Sequence, residues 1–170
     1  MYNYQNIFYY SIPFLPIITR LVIIFRHCNV MKEHLGEPEL DKESHRANIL
    51  ILAGFSFSGL LAVTIVDSAL RQSFSFAVYY LLISFLCYLL SSNMQSYKSK
   101  RWHDQLVTAI TETASLSLIL SILSILHSQA FDANFAVSLS VFAFSVWLID
   151  HIIRLTLQEK YLKLKEEQSK

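Results

Sequence analysis

Apolar and polar positions separate along this chain into long uncharged runs divided by short charged blocks. A helix needs about 20 apolar residues to cross a bilayer, and four runs qualify. Residues 48–66 (NILILAGFSFSGLLAVTIV) and 73–92 (SFSFAVYYLLISFLCYLLSS) carry no charged side chain. Residues 105–126 hold one acid, Glu112, in a Thr/Ser-rich apolar stretch, and residues 133–153 stay apolar until Asp150 and His151. The pattern predicts an all-α, polytopic membrane helix bundle with its transmembrane domain at 47–154. The spacing leaves no room for a soluble domain, and no solenoid-length repeat is visible.

The flanks predict three further elements. Residues 1–28 form an N-terminal apolar helix, and the run 7–25 (IFYYSIPFLPIITRLVIIF) is long enough to insert. Pro13 and Pro16 remove backbone donors from it, and Arg20 is costly in hydrocarbon. The expectation is an interfacial helix that keeps Arg20 and Arg26 among lipid headgroups, with a fifth span as the alternative. Residues 29–46 are a polar cytoplasmic linker, broken at Gly36 and Pro38. Residues 155–170 extend span four as an amphipathic tail. Leu157, Tyr161 and Leu164 recur there at i, i+4, i+7, a stripe expected to pack on a neighbouring helix or subunit.

Composition sharpens this reading. The 170 residues are 54% hydrophobic and 16% charged, with mean hydropathy +0.40, whereas soluble domains carry about a quarter charged residues. A single water-soluble core is excluded. Lys and Arg number 14 against 13 Asp and Glu, so no basic footprint for nucleic acid exists. Twelve of the fourteen basic residues fall between Arg26 and Arg46, in the 98–101 loop or from Arg154 onward, with Arg71 on the other side. By the positive-inside rule this predicts a plasma- or inner-membrane protein with both termini cytoplasmic. Cys28 and Cys87 are too few for a disulfide framework or a thiolate metal site.

No His-Glu-x-x-His helix, glycine-rich phosphate loop or Gly-x-Ser-x-Gly elbow is present, so no catalytic residue, cofactor or metal is expected. His34 with Glu33 and Glu37, and His45 with Glu43, sit in the solvated linker. Lys98, Lys100, Arg101 and Trp102 suit anionic lipid and an interfacial anchor.

Chemistry-bearing positions inside the spans are few. Gly54, Ser58 and Ala62 form a small-residue face on span one that either lines a pore or lets helices pack closely. Thr113, Ser117, Ser121 and Ser124 place hydroxyls along span three, hydrating a path or bonding to backbone and neighbouring helices. Glu112 lies eight residues beyond Asp104, roughly 12 Å deeper along the helix. An acid there binds a cation, relays a proton or bonds to nearby hydroxyls. Asp150, His151 and Arg154 form a polar cluster at the inner end of span four, with Asp150 and Arg154 spaced as an ion pair. Asp67 and Asp132 lie at outer ends, where they form an acidic mouth or mark helix boundaries.

The stretch Ala-Asn-Ile-Leu-Ile-Leu-Ala-Gly-Phe at 47–55 resembles the pore helix of the Orai family of calcium-channel subunits around its Gly-Phe pair, Gly54 and Phe55. Four spans, an Arg-bearing approach to span one, Asp67 at its outer end and an amphipathic tail after span four extend the resemblance from about residue 41 to the C-terminus. It implies several copies of span one around a central axis, with span four and its tail outside. The family's gate valine falls on Ser58 and its selectivity glutamate on Ala62, so calcium selectivity does not carry over. The functional expectation is a homo-oligomeric, ion-conducting pore in the lipid bilayer, lined by Gly54, Phe55, Ser58 and Ala62 with Asp67 at its mouth. The alternatives are a non-conducting regulatory protein that binds a cytoplasmic partner through its tail, and a membrane-permeabilising toxin or defence effector.

Overall fold

The computed structural model describes residues 9–32, 39–65, 74–95, 100–128 and 133–168, and these segments fold into helices. A short 3-10 turn, Ile12–Phe14, leads into α1 (Leu15–Arg26). A single turn, α2 (Cys28–Met31), then precedes α3 (Glu39–Ile65), α4 (Ser75–Gln95), α5 (Arg101–Ser128) and α6 (Ala133–Gln168). Among the described residues, five helical stretches are long and apolar enough to cross a bilayer, including Tyr9–Arg26. The all-α expectation is met, and the helices support membrane embedding.

Small and hydroxylated residues let α3, α4 and α5 approach closely. Ala53, Ser56, Ala77, Ser84, Ala109, Ala114 and Ser117 are all buried, and small side chains are what bring helices together where lipid removes the hydrophobic drive. Ser56 Oγ shares a hydrogen bond with Ser84 Oγ at 2.9 Å. On the next seam, Tyr88 meets Ser115 at 3.0 Å and Ser91 meets Thr111 at 2.6 Å. Gly59 belongs to the same packing, since a Cβ there would come within 3.2 Å of Leu81. Most of the hydroxyl face of α5 turns inward. Ser117 donates to the Thr113 carbonyl at 2.8 Å and Ser121 to the Leu118 carbonyl at 2.7 Å, so these groups are satisfied by their own helix.

The N-terminal helix, expected as interfacial or as a fifth span, packs along α5. Its first residues, Tyr9 and Tyr10, meet Tyr80 and Tyr79 at the start of α4, and its last, Arg26, pairs with Glu159 of α6 at 2.9 Å. Both prolines are accommodated. Pro13 cannot donate to the carbonyl of Tyr9, four residues back; the Tyr80 hydroxyl donates to it instead, at 3.0 Å. Pro16 likewise leaves Ile12, whose carbonyl accepts from the Leu15 N–H in the 3-10 turn. Donors of this kind let proline persist in membrane helices.

The tail packs through another face. α6 turns Ala136, His151 and Leu162 inward, and Leu162 packs on Val30 and Met31 of α2. The predicted stripe Leu157, Tyr161 and Leu164 is exposed on the outer side, although the Tyr161 hydroxyl accepts a hydrogen bond from Arg101 at 3.1 Å. Over its first half α6 stands away from α1 and α5, leaving apolar clefts of about 540 and 510 Å³ that share Leu120, Leu123, Ser140 and Val141.

Overpacking the α3–α4–α5 seam by Ala114→Leu is expected to cost about 1–3 kcal/mol, read as a lower Tm of the protein in detergent. Gly54→Ala, whose Cβ meets nothing within 4 Å, should leave Tm unchanged or raise it, since alanine favours helix by about 1 kcal/mol.

Candidate functional site

The charged groups that the apolar runs carry inward converge on one place. Arg20 of α1, only 4% exposed, faces Glu112 of α5 through a two-point contact. Nε donates to Oε2 at 3.1 Å and Nη2 to Oε1 at 2.5 Å. Its Nη1 donates to Gln105 Oε1 at 2.7 Å and also to Gln158 Oε1 of α6. Four of the five guanidinium N–H donors therefore have acceptors, drawn from two other helices. Bidentate pairing of this kind matches the planar fork of arginine to a carboxylate and fixes orientation as well as charge.

His151 of α6 completes the cluster. It is 3% exposed, and its Nδ1 lies 3.2 Å from Glu112 Oε2, within ion-pair distance but off the line of a ring N–H hydrogen bond. Its Nε2 is 3.1 Å from Thr19 Oγ1, and Trp147 stacks on the ring at 5.0 Å with an interplanar angle of 11°. Consecutive residues of α1, Thr19 and Arg20, thus reach α6 and α5. The cluster ties together three helices that small-residue packing alone does not join.

Position on the helix decides which charges enter. Asp150 and Arg154 flank His151 in sequence but lie on the exposed side of α6, where they pair at 2.7 Å. The sequence grouping of Asp150, His151 and Arg154 therefore splits, with the histidine turned inward and the ion pair outward. Glu112, expected to bind a cation, relay a proton or bond to hydroxyls, faces an arginine and a histidine. Gly54, Phe55, Ser58 and Ala62 are exposed on α3, with Phe55 at 66%, and take no part in the cluster. Asp67, Asp132, Glu33, His34, Glu37 and Lys98 lie outside the described residues. Among the described residues, no three His, Cys, Asp or Glu side chains converge as a metal ion requires.

Arg20, Thr19, Gln105, Trp147 and Gln158 are site residues that sequence reasoning did not assign. The signal was present in Arg20 and Glu112, one cation and one anion each stranded in an apolar run. Either alone costs about 2.5–3.5 kcal/mol or more at the centre of a membrane helix, and each is the cheapest available partner for the other.

A cavity of about 270 Å³ opens beside the cluster, lined by Arg101, Asp104, Gln105, Gln158 and Tyr161 among others. Two of these, Gln105 and Gln158, are the amides that hold Arg20. Comparison with protein-family models, with curated proteins and with solved structures finds no match to this chain.

Removing one member of the ion pair leaves the other charge buried. Arg20→Leu or Glu112→Leu is expected to destabilise the protein by about 3–5 kcal/mol. The double variant should recover most of that loss, so a double-mutant cycle on unfolding free energies in detergent measures the coupling directly.

Proposed function

We propose that this chain crosses the membrane five times and that several copies assemble around α3 into an ion-conducting pore. The observation that carries this reading is the division of labour between two sets of polar and small residues. The interior hydroxyls and charges are largely occupied with one another inside the protomer. The Gly54, Phe55, Ser58 and Ala62 face of α3 is instead turned away from the other helices. A polar path is then built more readily between copies than within one. The face carries no carboxylate, so a weakly selective pore is the natural form, with Phe55 as its one bulky apolar side chain.

Five crossings put the N-terminus on the side opposite the tail, which differs from the topology expected from four spans. The basic-residue count supports this equally well. Residues 1–19 contain no Lys or Arg, so moving them outside breaks no rule of charge.

A second reading rests on the exposed Leu157, Tyr161 and Leu164 stripe. In that reading the bundle only anchors a tail that docks on a cytoplasmic protein, and nothing is conducted.

Purified protein reconstituted in liposomes should release trapped monovalent ions, and Gly54→Leu should reduce the flux at least tenfold while leaving the oligomer intact on size exclusion. Wild-type liposomes that hold their ions, with partner capture lost in a Leu157, Tyr161 and Leu164 triple alanine variant, would select the anchoring reading. For topology, terminal epitope tags on sealed, oriented membrane vesicles should be cleaved by protease from opposite faces.

A further inference from the structure

The hydrogen-bond pattern around His151 is one proton short. Thr19 Oγ1 lies 3.1 Å from the Leu15 carbonyl and 3.0 Å from the Pro16 carbonyl, and donates its one hydrogen to them. With that hydrogen on its own helix, Thr19 Oγ1 meets His151 Nε2 as an acceptor, and Nε2 then carries a hydrogen. In a neutral ring that assignment leaves Nδ1 as a bare lone pair. Yet Nδ1 is buried, makes no hydrogen bond of regular geometry, and sits 3.2 Å from the Glu112 carboxylate. Two acceptors then face each other in an apolar interior, an arrangement that costs free energy unless a proton lies between them.

We propose that His151 is a proton-binding site, taking up a proton on Nδ1 against Glu112 from the end of the bundle where the Gln105–Gln158 cavity opens. Uptake breaks no covalent bond. A proton from water adds to the Nδ1 lone pair, and the Arg20–Glu112–His151 cluster goes from net neutral to net +1. As an imidazolium the ring has Thr19 Oγ1 as acceptor for Nε2, the Glu112 carboxylate at ion-pair distance from Nδ1, and a Trp147 face parallel to it, a surface that attracts cations.

Groups on every packed helix face the ring. Arg20 of α1 opposes the added charge and Thr19 accepts from it. Glu112 of α5 favours it. On α6 itself Asp150 favours it, although Asp150 is exposed and already paired with Arg154. The polar cavity lies one side chain away, since its Gln105 and Gln158 amides contact Arg20. Protonation has a mechanical consequence, because Arg20 Nε and His151 Nδ1 address the same oxygen, Glu112 Oε2. Loading that oxygen with a second donor changes how firmly α1 is held to α5 and α6.

The test uses the stacked indole as reporter. The chain has two tryptophans, and Trp102 touches His103 at 3.7 Å between ring centroids, so Trp102→Phe is needed to leave Trp147 as the only emitter. In that background, with the full chain in nanodiscs, Trp147 emission should fall along a one-proton curve between about pH 8 and about pH 4. The fall follows because an imidazolium quenches an indole stacked on it. His151→Gln should flatten the curve. Glu112→Gln should move the midpoint down by about 1–3 pH units, the effect of removing an opposite charge at this distance. Spectra of the wild-type chain labelled with 15N-histidine give a readout free of substitution, in which one ring gains its second proton at the same midpoint. Emission from Trp147 that is flat with pH, or a curve that survives His151→Gln, overturns the proposal.

Discussion

The salt bridge between Arg20 and Glu112 is the constraint around which the rest of the bundle is arranged. In water such a pair contributes little, because solvent screens it and both side chains lose freedom. Inside a membrane-spanning bundle the comparison is different, since each group alone would sit uncompensated in a medium of low polarity. Pairing removes that penalty only when the remaining donors are also satisfied. Gln105 and Gln158 do this, from α5 and from α6. The four hydrogen bonds of one guanidinium thus fix the position of α1 against two other helices, and with it the register of the tail against α2.

Docking α1 through a charge explains why this helix tolerates features that would be costly in an isolated apolar helix. Its two prolines and its arginine look like faults when the helix is considered by itself. Each is answered by a group from the assembled chain: Tyr80 for the carbonyl that Pro13 leaves open, the 3-10 turn for that of Pro16, and Glu112 for the charge. The α3–α4–α5 unit relies on other physics. There alanine and serine bring backbones close enough for dispersion and short hydroxyl contacts to act, and no charge is required. One bundle therefore has two kinds of cement, small-residue packing among α3, α4 and α5, and polar bonding that secures α1 and α6 to α5.

This division bears on function. Polar groups engaged in holding α1 and α6 are not free to hydrate a path, whereas the open face of α3 has no role inside the protomer. The proposed pore and the proposed proton site accordingly occupy different parts of the molecule. α5 connects them, since it packs on α4 and so on α3 along one side and carries Glu112 on the other.

The linear sequence determined the helical class and the positions of four helices long and apolar enough to cross a bilayer, because the spacing of charges against the length of a bilayer is a one-dimensional property. It also marked Glu112 as a position needing a partner, and it placed Asp150 and Arg154 together, since a pair four residues apart is local to one helix turn. The partner of Glu112 lies 92 residues away, and no periodicity relates Arg20 to it. Which side of α6 faces inward, whether Leu157 or Leu162 is buried, and whether a proline-bearing helix runs along the bundle or across its end all depend on how helices rotate and dock. Those choices are settled by which buried charges find acceptors and which carbonyls find donors, and both are counted only in three dimensions.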